Sequence, residues 1–467
     1  MKVKVKQLII AAILNICFVG FAEADLAKEI DGIIKKSFSQ KVKLSVSIVK
    51  ADSGLQVYGY NANEAIIPAS NMKLIVAAAA LKILGPDYEY KTRVGFCGDT
   101  LVITGSGDPL LGDEKTDAKY SRGRGWIFED IVAKLKEKGI TEVNDIVIDS
   151  SIFDDQRVHP NWSKEQLNRW YASEVSGLNF NGNCVEVTAK TVGNRVELEI
   201  WPQTSFVEIT NKCKPTSQSP NTVWCSRLYG TNKLTVFGKC YKECQPVCVT
   251  VDNPSLFFGH VLAENINRAG IKTDGQVLEK PLGEDCRFEV IAEYGSSIGD
   301  CLARCNKNSF QLAAEALLKT VAADSSPDKK NGSWVKGQEA VSRYLLGLGI
   351  SKDEFNIDDG SGLSRENRLS ANAITMVLSD VYKGKDWAFY KDSLAVGGVD
   401  GTIGKYFKEE KYKGKIFGKT GFINGVKSFS GVCSTDGGDY IFSILTNNNW
   451  QSRGTINDIA KAIIDTK

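Results

Sequence analysis

The chain reads as a mixed α/β protein of the α+β type, with regular strand and helix patterns toward both ends and short strands, loops and cysteines between them. Three observations predict this. Val42 to Lys50 alternates with period two, placing Leu44, Val46 and Ile48 on one face, and Asp52-Ser53-Gly54 turns it toward a hairpin partner at Gln56 to Tyr60. Pro68 to Leu81 carries strong helix formers behind a proline suited to a first turn, and from Leu74 it is apolar all round, the pattern of a fully buried helix. Three strand candidates, Lys415 to Lys419, Val426 to Cys433 and Tyr440 to Thr446, stand together before a last helix at Thr455 to Asp465.

Between these landmarks the chain reads in order. Asp25 to Phe38 is an amphipathic helix. After Tyr90 come short strands and loops: a strand at Thr100 to Thr104, a helix at Trp126 to Lys138, a strand at Glu142 to Ile148, turns over Tyr171 to Asn183 and a hairpin at Cys184 to Ile200. Cys213, Cys225, Cys240, Cys244 and Cys248 then crowd one segment. Without a Cys-x-x-Cys pair, a zinc site is conceivable there but a disulfide-stapled subdomain is favoured. Helices follow at Pro254 to Arg268, Ser297 to Cys305, Ser309 to Ala323 and Ala371 to Tyr382, with a strand after Gly270 and a glycine-rich loop at Asp359 to Ser364.

The 467 residues suffice for two or three domains. Residues 1–24 have the form of a secretory signal: Lys2, Lys4 and Lys6, an apolar run from Leu8, and a small-x-small site at Ala22-Glu23-Ala24. No later stretch reaches the roughly 18 apolar residues of a membrane span, so no transmembrane anchor is expected after cleavage. With the signal go three lysines and one glutamate, which balances the remaining charges, and no basic stripe argues for nucleic acid. The two histidines, His159 and His260, sit in no ligand motif. A serine enzyme that depends on histidine, or a histidine-bound zinc, fits poorly; a serine enzyme whose base is lysine fits.

Ser70 and Lys73 supply that pair. Three residues apart at a helix start, they share a face, and burial at the edge of an apolar core disfavours the lysine charge, making the amine a candidate base for the hydroxyl. Ser-x-x-Lys also occurs at Ser47/Lys50, Ser326/Lys329 and Ser333/Lys336, but only the 70–73 pair opens a buried helix. Two later segments complement it. Lys419-Thr420-Gly421, found once in the chain, puts a cation and a hydroxyl on a strand where a peptide carboxylate can bind. Ser309-Phe310-Gln311 brings a hydroxyl and an amide to a helix start, although Ser309 read alone is most simply that helix's N-cap.

The combination of Ser-x-x-Lys, Ser-x-Asn and Lys-Thr-Gly belongs to penicillin-binding proteins and β-lactamases. Pro-Ala-Ser-x-x-Lys at 68–73, Gly-Ser-Gly-Asp-Pro-Leu-Leu at 105–111, Asn-Lys-x-Ser at 306–309, Asp-Gly-Ser-Gly-Leu-Ser-Arg at 359–365, Gly-Val-Asp-Gly-Thr at 398–402 and Lys-Thr-Gly at 419–421 stand in family order. Through them the chain resembles the low-molecular-mass class C penicillin-binding proteins, D-alanyl-D-alanine carboxypeptidase/endopeptidases of the bacterial envelope. The resemblance implies a penicillin-binding, serine β-lactamase-like domain with an antiparallel sheet covered by helices, built from residues 25–91 and 296–467. Residues 92–295 would form a large, mostly β insertion, with the cysteine-rich subdomain at about 205–250.

The resemblance also implies roles. Ser70 is the nucleophile, Lys73 its base, Ser309 the proton relay, Gln311 the ligand of the substrate amide, and Lys419 with Thr420 and Gly421 the carboxylate-facing strand. Phe422 offers a backbone N–H, and Arg365 with the segment from Trp162 to Leu167 helps choose the stem peptide. No metal or cofactor is implied. The partners are peptidoglycan stem peptides and, as covalent inhibitors, β-lactam antibiotics. Two positions depart from the family: Gln311 replaces asparagine, and Phe422 stands where threonine or serine is usual. The extra methylene shifts an amide by about 1 Å, a displacement that costs roughly a hundredfold in rate. A catalytically weakened wall-binding relative and a β-lactamase are the alternative readings.

Overall fold

The computed structural model describes residues 24–450 and 453–466. The expected signal peptide lies outside the described residues, apart from Ala24 at the start of a helix over 24–37. The chain folds into two compact units. The first comprises residues up to Lys82, Leu302–Ser309 and Val341 onward; the second comprises Ile83–Cys301 and Phe310–Ala340.

The first unit is built on a six-stranded sheet in the order Gln56–Tyr60, Lys43–Lys50, Gly438–Asn447, Val426–Thr435, Ile416–Ile423, Ala395–Val396. Every pairing in it is antiparallel. The hairpin near the start of the chain thus pairs with strands from its end. The two faces differ because strand side chains alternate. Leu44, Val46 and Ile48 join Phe429, Phe442 and Ile444 on one face, where Leu26 and Ile30 of the first helix and Ile456, Ile459 and Ile463 of Gly454–Asp465 complete an apolar core. At about 25 cal/mol per Å² of buried apolar surface, this is the face that holds the sheet against those helices.

The opposite face mixes small polar residues with buried Val432, Ile441 and Leu445. Ser47 Oγ lies 3.0 Å from Thr375 Oγ1 of the helix Ala371–Lys383, and Ser430 and Ser443 bond each other at 2.8 Å. Serine and glycine there leave room for backbone to approach. The helix Met72–Leu84 is buried from Met72 through Leu81, as its all-round apolar pattern predicts.

In the second unit a five-stranded mixed sheet runs Val277–Glu279, Ile146–Asp149, Thr100–Thr104, Glu89–Cys97, Glu289–Ser297. The helices Trp126–Glu137 and Pro254–Arg268 supply Phe128, Phe257 and Phe258 to a core shared with Phe180. The strand expected over Glu142 to Ile148 is two strands, Glu142–Val143 and Ile146–Asp149, in different sheets. Asn144 and Asp145, both turn formers, break it: their side chains bond Asp99 at 2.6 Å and the Gln276 N–H at 2.8 Å.

The cysteine-rich segment also departs from expectation. The disulfide among the described residues joins Cys97 to Cys286, whereas Cys213, Cys225, Cys240, Cys244 and Cys248 are thiols. Cys240 and Cys244 serve as small apolar residues, packed with Ala189 and Val196, and their sulfurs bond the Ala189 backbone at 3.2 and 3.1 Å. Among the described residues no helix is long and apolar enough to cross a membrane.

Candidate active site

The turn that carries Ser70 comes first in the chain. Ala69–Asn71 forms one 3₁₀ turn that runs into Met72–Leu84. Ala69 has φ +48°, a left-handed conformation that costs a non-glycine residue energy and is retained where surrounding structure enforces it. Two contacts enforce it here. Ser428 Oγ donates to the Pro68 carbonyl at 2.7 Å, and Asn71 Nδ2 donates to the Lys419 carbonyl at 3.0 Å. The turn is therefore tied directly to the strand Ile416–Ile423.

Lys73 is fully buried, with Nζ 3.2 Å from Ser70 Oγ and 2.6 Å from the Ser361 carbonyl. Ser361 belongs to the glycine-rich loop, whose shape comes from Asp359. That buried carboxylate accepts hydrogen bonds from the Gly362 and Ser364 N–H groups and from Asn367 Nδ2, each at 2.7 Å. Gly362, at φ +79°, lies against the Ser70 turn: a Cβ there would fall 1.9 Å from the Ala69 oxygen and 3.1 Å from the Ser70 nitrogen. Only glycine fits.

Lys419 is the second buried amine. Its Nζ lies 2.8 Å from Ser309 Oγ and 2.8 Å from the Thr420 carbonyl. Burial, and then the charges of Lys73 and Arg453, hold the Lys419 amine well below its usual range. Ser309 does not cap the following helix. It sits at φ +58°, the cap position is Phe310, and the hydroxyl serves Lys419 instead. The residues before it are pinned, with Asn306 Nδ2 on Ser393 Oγ at 2.9 Å and Lys307 on Asp400 at 2.5 Å.

Thr420 Oγ1 bonds Thr402 Oγ1 at 3.0 Å. A Cβ on Gly421 would stand 2.1 Å from Ser428 Oγ and 2.9 Å from the Ser70 nitrogen, so this glycine sets how closely the strand and the Ser70 turn approach. Phe422 is 66% exposed. Arg365 is exposed and donates to the Asn424 carbonyl at 3.0 Å, bracing the hairpin beyond Phe422.

The first unit thus brings Ser70, Lys73, Ser309, Lys419 and Gly421 together through hydrogen bonds and close approaches among its own residues. Gln311 opens Gln311–Asp324 in the second unit, and its Oε1 is buried without a hydrogen-bond partner among the described residues. The Trp162 to Leu167 segment is also in the second unit. Trp162 packs there against His159 and Trp334, and the Leu167 carbonyl accepts from Thr250 Oγ1 at 2.6 Å.

Sequence reading missed Ser361 as the carbonyl that holds Lys73. It also missed Asn71, Ser428 and Asp359 as the groups that hold the turn and loop. A signal existed for Asp359: aspartate before Gly-x-Gly is a frequent turn organiser. None existed for a backbone carbonyl 288 residues from its partner.

Residues 26–466 match the sequence model of the D-Ala-D-Ala carboxypeptidase 3 (S13) family. A D-alanyl-D-alanine carboxypeptidase of Actinomadura sp. is 28% identical over 455 residues, covering 92% of this chain and 82% of the relative. The D-alanyl-D-alanine carboxypeptidase DacB of Haemophilus influenzae is 25% identical over 405 residues, or 82% and 80% of the two chains. The crystal structure of penicillin binding protein 4 from H. influenzae superposes with a TM-score of 0.78 at 22% identity, over 93% of this chain and 98% of that one. A second structure of that protein, complexed with a β-lactam, gives 0.72 at 21% identity, again over 93% and 98%.

Proposed function

This chain belongs to the D-Ala-D-Ala carboxypeptidase 3 (S13) family, a family of hydrolases, and on that premise we propose that it cleaves peptidoglycan stem peptides through an acyl-enzyme on Ser70. The observation that carries the reading is a pair of buried lysines, each on a different serine hydroxyl: Lys73 at 3.2 Å from Ser70 and Lys419 at 2.8 Å from Ser309. A core that keeps two amines dry and close together does so at a cost in stability, and such costs concentrate at functional sites.

In this reading Ser70 Oγ attacks the carbonyl of the penultimate D-alanine while Lys73 accepts its proton. The Ser361 carbonyl orients the amine for that transfer. The N–H groups of Ser70 and Phe422 bind the oxyanion, a type of stabilisation worth about 3 kcal/mol per donor. Ser309 passes the proton to the departing amine of the terminal D-alanine, and Lys419 with Thr420 faces its carboxylate. Gln311 binds the substrate amide, and Arg365 contributes to stem-peptide choice. Water then hydrolyses the ester. Cleavage of a cross-bridge follows the same steps, and β-lactams acylate Ser70 because they present a strained amide to the same groups. The substrate lies in the cell envelope, which agrees with an export signal over residues 1–24.

The test is covalent labelling by a fluorescent penicillin, followed by D-alanine release from a D-Ala-D-Ala-terminated pentapeptide. The wild type labels and releases; Ser70→Ala does neither. Equal labelling of the two removes the acyl-enzyme reading. Labelling without release leaves the weakened wall-binding relative, and rapid loss of the label marks a β-lactamase.

A further inference from the structure

Oxyanion binding by Phe422 depends on one peptide plane, because its side chain offers no hydroxyl. The plane can be followed along the strand. Ser434 N donates to the Lys415 carbonyl at 2.8 Å, and Gly397 N donates to the Ile416 carbonyl at 2.9 Å on the other side. Antiparallel bonding alternates, so odd residues of Ile416–Ile423 bond toward Val426–Thr435 and even residues turn to the opposite edge. Ala395–Val396 covers that edge only opposite Phe417 and Gly418. The Phe422 N–H therefore faces an edge with no strand on it among the described residues, beside the Gly421 that abuts Ser70. The Gly421 carbonyl belongs to the same planar trans unit and points the other way.

Arg453 holds that carbonyl. It immediately precedes the helix Gly454–Asp465, and its guanidinium spans the register pair Gly421–Ser428, with Nη2 2.7 Å from the Gly421 oxygen and Nη1 2.8 Å from the Ser428 oxygen. Among the described residues it forms no salt bridge; two backbone oxygens receive its hydrogen bonds. Burial works against its charge. Sheet pairing alone satisfies backbone carbonyls without desolvating a cation, so the fork has a further effect. A planar fork fixes two acceptors at once, and a cation on C=O polarises the N–H at the other end of the peptide.

Building on the acyl-enzyme reading above, we infer that Arg453 is a positioning residue for oxyanion stabilisation, holding and polarising the Gly421–Phe422 peptide so that the Phe422 N–H is presented beside Ser70. It touches no substrate; it acts through one backbone unit.

The experiment compares wild type, Ser70→Ala, Arg453→Met and Arg453→Lys in rate of labelling by a fluorescent penicillin, and in kcat and KM for a D-Ala-D-Ala peptide. Arg453→Met is expected to slow labelling and kcat by roughly ten- to a hundredfold, less than loss of a whole oxyanion donor, with KM changed by under about threefold. Arg453→Lys recovers part of the loss, since an ammonium lacks the fork. A raised KM at unchanged kcat overturns the inference, as does wild-type labelling by Arg453→Met. If Arg453→Met does not fold, the lysine variant decides: wild-type labelling by it overturns the inference, and slowed labelling at an unchanged melting temperature upholds it. A wild type that labels no better than Ser70→Ala removes the acyl-enzyme reading itself, which is a separate result from equal labelling of wild type and Arg453→Met.

Discussion

The Ser361 carbonyl lies 2.6 Å from Lys73 Nζ, closer than Ser70 Oγ at 3.2 Å, so the amine is held by the loop as firmly as by its own helix. The loop in turn is held by Asp359, which accepts from two N–H groups and one amide. Asp359→Ala should lower stability by about 3 kcal/mol, because hydrogen bonds to a charged group contribute about 1.5–3 kcal/mol each. It should also slow penicillin labelling at least tenfold. Melting curves and labelling rates measure the two effects; a destabilised variant that labels at the wild-type rate shows that the loop does not position Lys73.

Glycines beside Ser70 should behave unlike glycines elsewhere. Gly362→Ala and Gly421→Ala place a Cβ 1.9 Å and 2.1 Å from existing atoms. Labelling by each is expected to fall about a hundredfold, since shifts near 1 Å at reacting groups have that effect. Gly414 also has positive φ, at +76°, but open space around it. Gly414→Ala should cost about 1 kcal/mol in stability and leave labelling unchanged.

The Lys419 amine titrates below its usual 10.5 in the folded protein, through burial first and then the charges of Lys73 and Arg453. Between the folded value and 10.5 the unfolded chain binds the extra proton, so this group makes stability rise with pH across that window. Lys419→Met removes the contribution. It should melt above wild type at pH 7, by a margin that narrows as pH rises, and label at least a hundredfold more slowly. A melting difference independent of pH would contradict the assignment.

Gln311 has a buried Oε1 with no hydrogen-bond partner among the described residues. Leaving such an acceptor unsatisfied costs about 1–3 kcal/mol, so Gln311→Leu should stabilise the protein by about 1 kcal/mol while D-alanine release falls at least tenfold. Gln311→Asn shortens the side chain by one methylene, to the asparagine that the resemblance implies here, and should raise release roughly tenfold. Release at or below the wild-type rate from Gln311→Asn means that the glutamine suits this enzyme's own geometry.

The elements themselves are largely legible in the sequence. The alternation of Leu44, Val46 and Ile48, the all-apolar helix after Met72 and the strands after 415 are each local patterns, and each appears where its period places it. Differences fall where local chemistry is ambiguous. Asn144-Asp145 breaks a strand that hydropathy joins, and Ser309 has the composition of a cap but the geometry of a lysine partner. The cysteines crowded between Cys213 and Cys248 suggest staples, yet Cys240 and Cys244 pack as apolar side chains.

Sequence alone determined which groups are available for chemistry. With two histidines in no motif, a single Lys-Thr-Gly and one Ser-x-x-Lys at the head of a buried helix, few arrangements of a nucleophile and a base remained. Tertiary structure decided how those groups are held. The Ser361 carbonyl on Lys73, Asn71 on the Lys419 carbonyl, Ser428 on the Pro68 carbonyl and Arg453 on the Gly421 carbonyl all join side chains or backbone far apart in the chain. Every one of these bonds ends on a backbone oxygen. A carbonyl is common to all residues, so its use leaves no mark on the sequence, and only the folded geometry selects which one it is.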